Sequence, residues 1–158
     1  MLWHQIGMME PGATRIHRKL LDSLYVEAML LADEARAYFD LTGREERDTL
    51  DALRRVAFSC ESLKVTTRLM HVIAWLLTQR AVDAGELAPR EALLPSRRLG
   101  TAPESEPDAL AALPFQAITI IEASIDLYRR VDRLDSALEE PAAESPARSM
   151  MQRLAASF

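Results

Sequence analysis

The sequence predicts an all-α protein, a three-helix bundle, and three observations predict it. Apolar residues recur at alternating spacings of three and four through three long segments. The chain has only five glycines in 158 residues, too few to supply a series of hairpin turns. Good helix formers, Ala, Leu, Arg and Glu, are abundant, and no apolar alternation of period two survives inspection. The length suits one domain. With 49% apolar but only 6% aromatic residues, the core must be built mainly from aliphatic side chains.

Residues 1–13 carry Gly7, Pro11 and Gly12 and read as a flexible leader, in which Trp3, Met8 and Met9 are the apolar residues available to dock. The bundle then occupies 14–138. Its first helix, about 15–41, carries the row Leu21, Leu24, Ala28, Leu31, Ala35 and Tyr38, widened by Leu20, Met29, Leu30 and Phe39. Gly43 is expected to end it at positive φ.

The second helix starts near Arg44–Asp48 and spans about 47–84. Its expected core row is Leu50, Leu53, Ala57, Cys60, Leu63, Thr67, Met70, Ala74, Leu77 and Ala81. A rod of close to forty residues would be about 60 Å long, so a break or bend near Phe58–Ser59 is expected, with Gly85 as the stop.

Residues 86–113 hold Pro89, Pro95, Pro103, Pro107 and Gly100 and read as an exposed connection with a short helix near Arg90–Leu94. Pro114 suits a first helical turn. The third helix, about 115–138, carries one seam at Ala117, Ile120, Ser124, Leu127, Val131 and Leu134. A second lies beside it at Ile118, Ile121, Ile125 and Tyr128. Two apolar seams are more than a lone bundle covers, which points to an oligomer contact. The end, 139–158, has a disordered composition closed by an apolar patch, Met150, Met151, Leu154 and Phe158.

Charge and chemistry narrow the function classes. A net charge of −5 argues against a nucleic-acid binder, whose affinity rests on neutralising phosphates. No signal-peptide pattern opens the chain, and the longest apolar run, Val72 to Leu77, is far too short to span a bilayer, so a cytoplasmic location away from membranes is expected. Cys60 is alone and reads as a small core residue. His4, His17 and His71 stand without ligand partners at helical spacing, and His71 reads as a partly buried residue with a hydrogen-bond partner. There is no Glu-x-x-His pair, no phosphate loop and no Gly-x-Ser-x-Gly turn. No catalytic residue, cofactor or metal is therefore assigned, and the expected activity is protein binding. Glu27, Arg68, Arg80 and Glu122 interrupt apolar faces and are expected to form ion pairs between helices.

ESLKVTTRLMHVIAWLLTQRAVDAGE, Glu61 to Glu86, resembles the central motif of the alphaproteobacterial RcdA family, regulators of CtrA degradation. SLYVEAMLLADEARAYFD followed by Gly43-Arg44 resembles that family's opening segment. The resemblance covers about residues 22–86 and, more loosely, the third helix and tail. It implies a homodimer of three-helix bundles that acts as an adaptor for ClpXP. In that scheme a CpdR-like protein primes the unfoldase ClpX, and the adaptor tethers regulatory substrates such as CtrA for cell-cycle-regulated proteolysis. The residues matching the motif, Glu61, Arg68, Trp75, Arg80 and Gly85, either hold the bundle or meet partners, with Trp75 favoured for the core. The tail residues Met150, Met151, Leu154 and Phe158 are the preferred partner contact.

The alternative is a dimeric helical transcription regulator that binds DNA. Arg15, His17, Arg18 and Lys19, or Arg97 and Arg98, would touch phosphates, but no recognition-helix signature accompanies them. An enzyme whose residues converge only in the fold would need a deep pocket with convergent polar groups. A structural dimer without a regulated partner is the remaining class.

Overall fold

A computed structural model describes residues 11–139 and 146–157. Three long helices carry the fold: α1 (Pro11–Ala37), α3 (Ala52–Asp83) and α5 (Phe115–Glu139). A short α2 (Gly43–Asp48), a single-turn α4 (Pro107–Leu110) and a final α6 (Pro146–Ala156) complete the described helices of α type. Helix α1 thus starts within the stretch expected to be leader, while Trp3, Met8 and Met9 lie outside the described residues.

Contacts along the helices set their directions. Arg80 reaches Asp22, and the rings of Tyr38 and Phe58 meet at 6.2 Å, so α1 and α3 are antiparallel. Arg68 meets Ser124 and Trp75 meets Asp135, so α3 and α5 run parallel. Parallel neighbours need a connection that returns along their length. Residues 84–114 provide it as a strap, with 3-10 turns at Glu91–Leu93 and Pro95–Arg97.

The first helix does not stop at Gly43. It widens into a π-helical turn, Tyr38–Thr42, and continues as α2, with Gly43 at an ordinary helical φ of −64°. The expected positive φ is wrong because the glycine serves close approach instead. A Cβ there would lie 2.7 Å from the Tyr38 carbonyl oxygen and 3.3 Å from the Phe58 ring. Tyr38, Phe39 and Phe58 pack edge-on around it, at centroid distances of 5.0 and 5.4 Å for the two pairs with Phe39.

Asp51 caps α3, its Oδ1 accepting from the Arg54 amide at 2.9 Å. The helix then runs continuously to Asp83, without the break expected near Phe58–Ser59, and Phe58 is buried in the core. At its end Gly85 has φ +75°, with Glu86 N–H bonded to the Ala81 carbonyl and Gly85 N–H to that of Val82, a Schellman arrangement.

All six residues of the expected α1 row are buried, as are Ala117, Ile120, Ser124, Leu127 and Val131 on α5. The expected row of α3 is wrong. Its buried face is Phe58, Glu61, Val65, Arg68, Leu69, Val72, Trp75, Leu76 and Gln79. Leu53, Leu63 and Met70 are instead 82%, 67% and 65% exposed, and Cys60 is exposed rather than a core residue. Moving two positions along a helix, from Cys60 to Phe58 or from Leu63 to Val65, turns the face by about 200°, so expectation and structure bury opposite sides.

The second seam of α5 also differs from expectation. Ile121 is fully buried and Ile118, Ile125 and Tyr128 are half-buried, with residues of the strap bordering the groove beside them. The surplus apolar surface therefore lies on α3, not on α5. The chain's last segment is helical from Pro146 to Ala156, not disordered as expected, while residues 140–145 and Phe158 fall outside the described residues.

Candidate protein-interaction surfaces

The buried face of α3 carries three polar residues, of which Glu61 and Arg68 find partners on the strap and on α5. Arg68, only 2% exposed, donates to the Ser124 hydroxyl at 3.2 Å, the Pro103 carbonyl at 3.0 Å and the Ser105 hydroxyl at 2.6 Å. Ser105 in turn donates to the equally buried Glu61 carboxylate, which also pairs with Lys64 at 3.0 Å. Burial lowers the Arg68 guanidinium from its usual range, and the nearby Glu61 charge acts against that. The third residue, Gln79, is buried toward the far end of the helix, where its amide Nε2 has no hydrogen-bond partner.

A second latch lies further down. Asp135 accepts from the Trp75 indole at 2.8 Å, the Arg98 guanidinium at 2.8 Å and the Leu99 amide at 3.4 Å. Between the latches, the Tyr128 hydroxyl donates to the Gly100 carbonyl at 2.7 Å. The strap is thus fastened along both parallel helices. Beside it, a shallow cleft of about 650 Å³ is bordered by His71, Trp75, Thr78, Leu87, Arg97 and Gly100.

Of the four charged residues expected to pair between helices, three do. Glu27 binds Arg130, Arg80 lies 3.5 Å from Asp22 and 4.5 Å over the Tyr25 ring, and Arg68 joins the buried network. Glu122 is the correction, an exposed residue on the outer side of α5. Among the motif residues, Glu61, Arg68 and Trp75 are buried and hold the bundle, Arg80 bridges α1 and α3 at the surface, and Gly85 ends α3.

What remains outward is apolar. On α6, Met150, Met151 and Leu154 are exposed. On α3, the outer row of Leu53, Val56, Cys60, Leu63, Met70, Ala74 and Leu77 is exposed, and between α1 and α3 it borders a groove of about 450 Å³ lined by Ala32, Phe39, Leu63, Met70 and Ile73. Sequence reasoning found this row and placed it inside; its 3–4 spacing was the signal. Among the described residues no cluster of His, Cys, Asp and Glu could hold a metal ion, and no helix is long and apolar enough to cross a membrane. The polar clusters that exist fasten one part of the chain to another, and the surfaces left open suit docking to protein.

Such a bundle, strapped by a crossover and apolar on the outer face of its central helix, belongs to the class of all-α helical bundles. A family model described as protein of unknown function (DUF1465) matches residues 12–158. The chain is also similar to the crystal structure of RcdA from Caulobacter crescentus CB15, at 36% identity and a TM-score of 0.62, over 75% of this chain and 90% of that one. The comparison with curated proteins finds no match. The chain belongs to the DUF1465 family, the RcdA family.

Proposed function

We propose that the chain is a non-enzymatic adaptor that tethers regulatory substrates to the ClpXP protease. The observation that carries this reading is the likeness to RcdA over three quarters of the chain, joined to a structure whose open surfaces are apolar helix faces. The partners implied are a ClpX primed by a CpdR-like protein, substrates of the CtrA kind, and a second copy of the chain. The work of such an adaptor is effective concentration. One surface holds the substrate and another the protease, so that engagement becomes nearly intramolecular and individual contacts can stay weak.

The tail suits one of these contacts, because Met150, Met151 and Leu154 lie exposed on a helix beyond the bundle. Affinity capture of the tagged protein from extract, beside a copy lacking residues 140–158, tests the proposal. Recovery of ClpX, a CpdR-like protein and short-lived regulators is expected, with protease recovery lost on truncation while the bundle stays folded. Recovery of DNA-bound complexes, or of no protein, would overturn the adaptor reading; unchanged recovery by the truncated copy would remove the tail from it.

A further inference from the structure

Between α5 and the strap runs a groove with an apolar floor. Pro107, Leu110, Ile118 and Ile125 line a hollow of about 520 Å³. A second hollow of about 260 Å³, lined by Ala102, Pro103 and Tyr128, shares Ser105, Ile125 and Arg129 with the first. From Ile118 to Asp132 the two follow α5 for about 21 Å. That length suits a segment of polypeptide lying along the helix.

The rim of this groove is acidic. Glu122 and Asp126 stand one helical turn apart beside the first hollow, and Glu104 and Asp132 border the second from the strap and from α5. All four are exposed, and Glu106 and Asp108 follow on the strap. Of the four, only Asp126 has an ion pair among the described residues, with Arg130 at 3.0 Å, and Arg130 also serves Glu27. Two bases line the groove. Arg129 is exposed, but Arg68 is already engaged by Ser105, Pro103 and Ser124. Like charges one turn apart repel, so an incoming cation relieves the rim while apolar side chains cover the floor.

We propose that the groove between α5 and the strap binds a basic, apolar segment of a partner protein. Leucine- or methionine-like side chains of that segment cover Ile118 and Ile125, and its lysines or arginines meet Glu104, Glu122, Asp126 and Asp132. The proposal rests on the adaptor reading for the partner being a protein, and adds the chemistry of the segment and the face that takes it. The outer face of α3 selects differently, since Lys64, His71 and Arg80 flank it.

Fluorescence anisotropy on the full chain tests this. The probe is a fluorescein-labelled peptide of leucine and lysine at helical spacing, compared with the same peptide carrying glutamate for lysine. The lysine probe should bind in the micromolar range, less tightly at high salt, and the glutamate probe should not bind. Glu122→Lys combined with Asp132→Lys should weaken binding by about 10-fold or more. Glu34→Lys combined with Glu45→Lys makes the same change of net charge at exposed sites away from the groove, and should leave affinity within about twofold. All four positions are exposed, so thermal melts should show both variants folded.

Equal binding of the two probes would overturn the proposal. Equal losses in the two double variants would do the same, because attraction would then follow overall charge. A gain of about 10-fold on Leu154→Asp would show that the chain's own α6 covers the groove, and would overturn an external partner. Binding that obeys these tests in a chain that captures no ClpX would support the groove while sinking the adaptor reading.

Discussion

The Trp75 indole donates to Asp135 Oδ1 at 2.8 Å, and the same carboxylate also binds the Arg98 guanidinium. One acid therefore joins two parallel helices and the strap that runs back between their ends. Its side chain is 11% exposed and that of Arg98 15%, so neither is well served by water if the other is removed. Asp135→Ala should cost about 3–5 kcal/mol in a urea titration, the range for removing one member of a buried pair. Amide exchange should quicken around Arg98 and Leu99 first, because that part of the strap loses its anchor while Gly100, Pro103 and Ser105 keep theirs.

Tyr38 sets an alkaline limit. Burial, and then its hydrogen bond and proximity to the Glu46 carboxylate, raise the phenol well above its usual value of 10.0. The protonated phenol is the form the fold favours. Its contribution is fully present below the unfolded pKa and is lost as pH rises from about 10 through the folded value. Tyr38→Phe should cost about 1–3 kcal/mol at neutral pH, as for a hydrogen bond to a charged group. It should also flatten part of the alkaline loss in melts recorded between pH 8 and 11. The remainder should persist, because burial raises Tyr128 as well.

Two glycines should respond to alanine for opposite reasons. At Gly43 the added methyl meets the Tyr38 carbonyl and the Phe58 ring, so overpacking costs about 1–3 kcal/mol. At Gly85 the space is open but φ is +75°, so the cost is backbone strain of about 1–2 kcal/mol. Replacing Gly85 with Asn, which tolerates that region better, should recover part of the loss, whereas Asn at Gly43 should be worse than alanine. Parallel thermal melts separate the two causes.

Glu27 and Glu122 look alike in sequence, each an acid beside apolar neighbours. Glu27→Gln weakens a partly exposed pair with Arg130 and should cost up to about 1 kcal/mol, less at high salt. Glu122→Gln lies on an open surface and should stay within about 0.5 kcal/mol of the parent. A loss at Glu122 equal to that at Glu27 would contradict this assignment.

The helices and two of their three core faces follow from periodicity alone. On α1 the row from Leu21 to Tyr38, and on α5 the row from Ala117 to Val131, bury as their spacing requires, because each lies opposite a more polar side. The Gly85 stop follows equally from local chemistry, since only a residue without Cβ takes that conformation freely. Gly43 shows where local reasoning ends: its neighbours Tyr38 and Phe58 impose the glycine through packing, and Phe58 belongs to another helix. The candidate surface on α3 was visible as a pattern but not as a surface.

That ambiguity marks the division between sequence and fold. The sequence by itself determined a helical chain of three long elements and where α3 ends, but its periodicity pointed to the face of α3 that lies outside. Only the tertiary structure decided which face turns inward. The outer row contains no charge and is the better hydrophobic stripe, yet the inner one holds Glu61, Arg68 and Gln79. Arg68 can be buried because Pro103, Ser105 and Ser124, which stand 35, 37 and 56 residues away, arrive to satisfy it. Hydrophobic periodicity registers only neighbours within a few turns, whereas the free energy of a buried charge depends on partners that distant parts of the chain deliver.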